Sequence, residues 1–292
     1  MKYIIRIFAD CASSTALKEI YEKICEVDKL DYYGEDKEIY ITDGEDYTHA
    51  FILNHIMPNL SIPKENVVGL ANEPPTYLLN MFTKNNFTNY ATKYIGKYFM
   101  GDGGILPEPF IEHYSFMPHI SPLPHIPIKT KLMSIIVSEK SVKFNAYGYE
   151  YRLQFLNKIL QSNLPIDIYG RICTYLENNN IKDSRLKGEF KDYEPYENYQ
   201  FHICIENFRT NAYVSEKVIN PLMTNTVPIY LGCRNIDTYF GDNVIQMSGN
   251  LNQDIILIND IVIHPEKYQK NIDLEFIKSK TSLIQNIKEI FA

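Results

Sequence analysis

The sequence predicts an α/β protein made of two αβα lobes that face each other across a cleft, and three observations carry that prediction. Short apolar runs too brief for helices alternate with helix-period stretches in both halves of the chain. A proline-rich stretch, FMPHISPLPHIP, sets Pro118, Pro122, Pro124 and Pro127 between the halves, where neither a helix nor an inner strand can persist. The run QFHICIENFRTNAYVSEKVINPLMTNTVPIYLG, residues 200–232, places a strand, a polar turn, a charged helix start and a second strand in immediate succession. That is the layout of a phosphate-binding αβ unit.

Taken in order, residues 3–8 read as the first strand and 14–25 as a helix with a Ser cap. Residues 38–42, 50–53 and 67–70 read as further strands of an open sheet. The prolines put the domain boundary near 125, giving lobes 1–125 and 126–292. The second half restarts with a strand at 132–137, a helix at 149–161 and a strand at 165–169. The strand 201–205, a helix opening at 215–217 and the strand 226–230, broken by Gly232, follow. A closing helix is expected over 275–291.

Composition narrows the function classes. With 292 residues, 45% hydrophobic and 22% charged, the chain can bury one large core or two modest ones. A net charge of −7 argues against a nucleic-acid partner, so any cationic site must be local. The five cysteines, 11, 25, 173, 204 and 233, show no CxxC or zinc spacing and read as free thiols of a reducing compartment. The first apolar stretch is short and interrupted by Arg6 and Asp10, which reads as a strand rather than a signal peptide. No apolar run approaches the roughly 20 residues of a membrane span. The expectation is a soluble cytoplasmic protein, with peripheral membrane association left open. His113, His119 and His125 recur through the proline stretch and read as linker residues, not metal ligands. Residues 101–104, GDGG, read as a turn, because no helix pattern follows them. No metal site is expected.

The chemistry-bearing residues gather near the end of the strand 201–205. Glu206 and Asn207 are delivered to its carboxyl end, where ligands sit in parallel sheets. Ser215, Glu216 and Lys217 open the next helix, whose free N–H groups and dipole favour an anion.

This run resembles the donor-binding motif of the α1,3/α1,4-fucosyltransferases, glycosyltransferase family 10. That motif reads roughly F-x-(I/L)-x-x-E-N-(S/T), then Y-x-(T/S)-E-K, then (V/I)-P-(I/V)-Y-x-G. Its elements stand here as Phe201, Glu206-Asn207, Tyr213-Val214-Ser215-Glu216-Lys217 and Val227 to Gly232. YEYRLQF, residues 149–155, resembles the family helix whose early Arg clamps the donor pyrophosphate. PIDIYGRI, 165–172, resembles its strand and glycine turn. ANEPPTY, 71–77, resembles the short segment that carries the proposed general base.

The resemblance implies the GT-B fold, two Rossmann-like domains, and a role for each matching residue. Arg152 and Lys217 would meet the charge that a nucleoside diphosphate gains as it leaves, so no metal would be required. Glu216 would take the ribose diol, and Gly170, Glu206, Asn207 and Tyr213 would complete the donor site. Glu73 would accept the proton of the acceptor hydroxyl. Each also has a structural reading: Arg152 as a helix-surface ion pair, Tyr213 as packing, and Glu73 as an acid before a helix that starts at two prolines. Residues 91–96 resemble the strand after the base but lack its acid. Phe208 replaces a small polar residue, Ser215 replaces Thr, and Pro221 should kink or shorten its helix.

The implied function is an inverting transfer of L-fucose from GDP-fucose to a glycan hydroxyl, α1,3 on a glucosamine-type residue, by an enzyme of the anchor-free microbial or viral type. The partners are then a nucleotide-sugar donor and a glycan acceptor. Two alternatives stay open: a transferase of another GDP- or UDP-sugar on the same scaffold, and a non-catalytic nucleotide-sugar or glycan-binding module.

Overall fold

The computed structural model describes residues 2–24, 31–33, 38–116, 123, 125–142 and 147–292. The chain divides into two compact units, Met1–Ser121 with Thr210–Ser215 and Ser279–Ala292, and Pro122–Arg209 with Glu216–Lys278. The single cut read near 125 is therefore supplemented by two later segments that return to the first unit. Pro118, Pro122 and Pro124 lie outside the described residues.

In the first unit the elements are β1 (Tyr3–Phe8), α1 (Ser14–Ile24), β2 (Asp31–Tyr33), β3 (Ile39–Thr42), β4 (His49–Leu53), β5 (Val67–Leu70), α2 (Pro75–Asn85), α3 (Phe87–Tyr94), β6 (Lys97–Met100) and β7 (Phe110–Glu112). The strands form one sheet in the order β2-β3-β1-β4-β5-β6-β7, parallel throughout except for the β2–β3 pair. Every residue of β4 and β5 is buried, as inner strands covered on both faces require.

Two expectations change here, and a third gains a task. Residues 91–94 are helical, and the strand begins only at Lys97. Phe87 and Ala91, four apart, are both buried, so the apolar face follows the helical period. His113 is not a linker residue: its ring stacks on Phe116 and Tyr114 at 4.9 and 4.5 Å, and burial pushes its pKa down. His119 lies outside the described residues. The expected turn at 101–104 is present, with Asp102 at φ 50°, and it also has a task. The Asp102 carboxylate accepts the Asn211 N–H at 3.1 Å, which ties segment 210–215 to this unit.

The second unit contains β8 (Lys131–Ile136), α4 (Tyr147–Leu160), β9 (Ile166–Tyr169), α5 (Ile172–Asn178), β10 (Leu186–Gly188), β11 (Tyr199–Ile205), α6 (Glu216–Met223), β12 (Val227–Leu231), α7 (Ile236–Phe240), β13 (Ile245–Gln246) and α8 (Leu251–Ile263). Its sheet runs β10-β9-β8-β11-β12-β13, all parallel. The expected strands and helices fall within two residues of these bounds. α6 is short, as Pro221 predicts: it ends two residues beyond that proline.

The closing helix expected over 275–291 is two pieces, α9 (Leu274–Thr281) and α10 (Ile287–Ile290). Asn286 Nδ2 donates to the carbonyls of Ser279 and Ser282 at 2.7 and 2.8 Å, and Ser282 Oγ accepts the Gln285 N–H at 3.2 Å. These local bonds compete with the helical ladder. Cys11 is exposed, Cys173, Cys204 and Cys233 are buried, and all four are free thiols; Cys25 is not among the described residues.

Candidate functional site

The site is built on the carboxyl edge of the second sheet. β11 sits between β8 and β12, so its last residues are surrounded by parallel neighbours that end at the same edge. Glu206 follows directly: its N–H donates to the Leu231 carbonyl at 2.8 Å, and its side chain is 1% exposed. Gly232 makes that burial possible, since a Cβ there would stand 2.4 Å from Glu206 Cγ.

Lys217, in the first turn of α6, supplies the opposite charge. Its Nζ lies 3.4 Å from Glu206 Oε2 and 2.9 Å from Glu216 Oε1. Burial works against the ammonium, but the two carboxylates outweigh it and hold the pKa of Lys217 above its ordinary value, while Arg152 opposes them. The Lys217 side chain keeps 26% of its surface exposed. A cation fixed in this way at a helix start is suited to a diphosphate.

Arg152 lies on α4 and is 4% exposed. It donates to the Ile205 carbonyl and, at 3.1 Å, to Asn207 Oδ1, bracing the end of β11. Tyr149 lies beneath it, with the guanidinium 5.5 Å from the ring centroid. What lets α4 come so close is Gly148, a residue that sequence reasoning missed. Its N–H donates to the Asn207 carbonyl at 3.0 Å, and a Cβ there would stand 1.8 Å from the Glu206 carbonyl oxygen. The structure thus brings Arg152, Glu206, Asn207, Glu216 and Lys217 together.

Of the remaining expected site residues, Gly170 belongs to the second unit, and Tyr213 and Glu73 belong to the first. Gly170 ends β9, two strands away in the sheet order, at φ +100° with its N–H donating to the Gly188 carbonyl at 2.7 Å. Tyr213 is buried within segment 210–215 of the first unit, where a Cβ on Gly101 would meet it at 2.9 Å. Glu73 is exposed, in the loop between β5 and α2 of the first unit.

That loop is held by Asn54, another residue the sequence reading passed over. At φ 56°, Asn54 accepts the N–H groups of Asn72 and Glu73 at 3.0 and 3.2 Å, and its carbonyl accepts the Tyr98 hydroxyl. Asparagine tolerates the left-handed region, which is the one sequence signal available at this position. Pro75 opens α2 at its first position, and Pro74 disfavours helical backbone at Glu73. The structural reading of Glu73 as an acid before a proline-started helix is thus compatible with its placement.

Among the described residues, no three His, Cys, Asp or Glu side chains converge as a metal site, and no helix is long and apolar enough to cross a membrane.

Comparison with known proteins finds a family likeness over part of the chain. Residues 126–246 match the model of glycosyltransferase family 10 (fucosyltransferase), C-terminal part. Over this segment the chain is similar to glycosyltransferase family 10. All the clustered site residues fall inside the family 10 segment, with Gly170 and Tyr213, while Glu73 falls outside it.

A protein of Acanthamoeba polyphaga mimivirus that bears the name of a fucosyltransferase is 33% identical over 96 residues, which cover 29% of this chain and 16% of that protein. Alpha-(1,3)-fucosyltransferase B of Drosophila melanogaster is 27% identical over 162 residues, covering 46% of this chain and 36% of the relative. The chain therefore spans well under two thirds of the length of these relatives. Among solved structures, an alpha1,3-fucosyltransferase superposes over 99% of this chain and 89% of its own, at 16% identity and TM-score 0.54. An alpha1,3-fucosyltransferase solved with GDP gives 14% identity and TM-score 0.52 over 99% and 88% of the two chains. The likeness establishes the fold: two parallel-sheet units of GT-B type.

Proposed function

We propose that this chain is an inverting fucosyltransferase that moves L-fucose from GDP-β-L-fucose to a glycan hydroxyl. The observation that carries the reading is Lys217, held charged between Glu206 and Glu216 at the start of α6, inside the family 10 segment. Transfer breaks the anomeric C–O bond, and the departing GDP gains negative charge that a fixed cation stabilises. Lys217, the more exposed of the two cations, meets that charge directly; Arg152 adds its charge from a buried position and holds Asn207 in place. These cations take over the task a divalent metal performs in other transferases. Glu216 accepts from the ribose hydroxyls, with Gly170, Asn207 and Tyr213 at the sugar nucleotide. Glu73 takes the proton of the acceptor hydroxyl as its oxygen attacks the anomeric carbon, inverting β to α.

GDP as the nucleotide is supported by the GDP-bound alpha1,3-fucosyltransferase of the same fold. An α1,3 linkage agrees with the names of that structure and of the fly relative; the glucosamine-type acceptor rests on the motif resemblance alone. Calorimetric titration with GDP and UDP tests the donor class: GDP binds more tightly, and Lys217→Ala weakens it by about tenfold or more. Tighter binding of UDP overturns the nucleotide assignment.

A further inference from the structure

Beyond the family 10 segment, whose match ends at residue 246, lies a buried carboxylate that the reaction as described does not use. Asp254, on the first turn of α8, is 1% exposed. One of its oxygens accepts the Ser248 N–H and hydroxyl at 2.7 and 2.8 Å; the other accepts the Gly249 N–H at 2.9 Å and the Tyr151 hydroxyl at 2.5 Å. Four donors on two oxygens match an acceptor-only group.

These contacts close a ring through the donor site. Tyr151 precedes Arg152 on α4, and Arg152 grips the Ile205 carbonyl and Asn207. Two residues beyond Asn207, Arg209 Nη1 donates to the Ser248 carbonyl at 2.9 Å, which leads back to Asp254. The ring joins α4, the end of β11, the loop after β13 and α8. Asn250 closes the near end of α8 by accepting the N–H groups of Asn252 and Gln253 at 3.1 and 3.2 Å.

We infer that Asp254 is a positioning residue for the donor site. Through Tyr151 it sets the rotation of α4, and so the reach of Arg152 to Asn207. Through Ser248 it fixes the anchor of Arg209 on the far side of the same turn. A connected polar ring holds its parts more tightly than separate pairs do, and a site residue must be held to a fraction of an ångström. Asp254 itself is not among the residues proposed to meet the donor. The inference rests on the second unit being the GDP site.

The test compares Tyr151→Phe and Asp254→Asn with Ile166→Val, a β9 core variant outside the ring, at matched melting temperature. Two readouts are taken: the dissociation constant for GDP, and hydrogen exchange of amides 205–209 without nucleotide. The expected result is GDP binding weakened about tenfold in both ring variants, the cost of one lost bond to a charged group. Amides 205–209 should exchange faster in the ring variants and not in Ile166→Val. Wild-type exchange at 205–209 in Asp254→Asn overturns the positioning role, whatever the nucleotide does. Absence of GDP binding by the unaltered chain overturns the proposed function instead, and exchange alone then decides the role of Asp254.

Discussion

Glu206 is almost fully buried, and the Lys217 ammonium 3.4 Å away is among the charges that make its burial tolerable. Removing the lysine alone takes a countercharge from a buried carboxylate, a change that typically costs about 3–5 kcal/mol. Lys217→Met should therefore lower stability by that order in urea unfolding, and adding Glu206→Gln should recover most of it. Fucose transfer should stay lost in the double variant; if transfer returns with stability, Lys217 is scaffold and not chemistry. A second residue-scale effect is pH dependence. His202 is buried beside the Ser134 hydroxyl at 2.7 Å, and burial pushes its pKa down to about 3 from 6.5. Between those values the unfolded chain binds a proton that the folded chain refuses. Stability thus rises with pH from about 3 to 6.5, and above that range His202 contributes no slope. Unfolding free energies across this range should show a shallower slope for His202→Gln; an unchanged slope would assign the acid sensitivity to other groups.

At the scale of elements, the decisive fit is α4 on the end of β11. Gly148→Ala puts a methyl carbon 1.8 Å from the Glu206 carbonyl, so α4 must move and take Arg152 with it. Overpacking of this kind costs about 1–3 kcal/mol, and GDP affinity should fall with the melting temperature. Gly104→Ala, where a Cβ meets nothing within 4 Å, is the matched control and should change neither. The contrast also marks what the sequence made legible. The strands 3–8, 67–70 and 201–205 announced themselves as apolar runs, and Arg152 and Lys217 by their place in a motif. Gly148 did not, because spacing along a chain reveals a helix period but not which backbone the helix touches. The same limit hid Asn54, whose side chain accepts from Asn72 and Glu73 in the loop after β5. α3 was obscured differently: a likeness to a strand at 91–96 overrode the Phe87 and Ala91 spacing that favours a helix.

For the molecule as a whole, the account divides labour between the units. Under the proposed function the second unit binds the nucleotide, and the first supplies the base through Glu73. Glu73→Gln should then leave GDP affinity unchanged while removing transfer, with a loss of about 10²-fold or more. The two-unit plan was legible because prolines interrupt the pattern once. The returns of 210–215 and 279–292 to the first unit were not, since they rest on contacts such as Asp102 with Asn211 and Lys97 with the Ile290 carbonyl at 3.3 Å. The most direct test of the central claim is the release of GDP from GDP-fucose with N-acetyllactosamine as acceptor, followed with and without EDTA. The account predicts acceptor-dependent turnover that persists in EDTA and is lost in Lys217→Met with Glu206→Gln. Turnover with UDP-sugars alone, or turnover that EDTA abolishes, would contradict it.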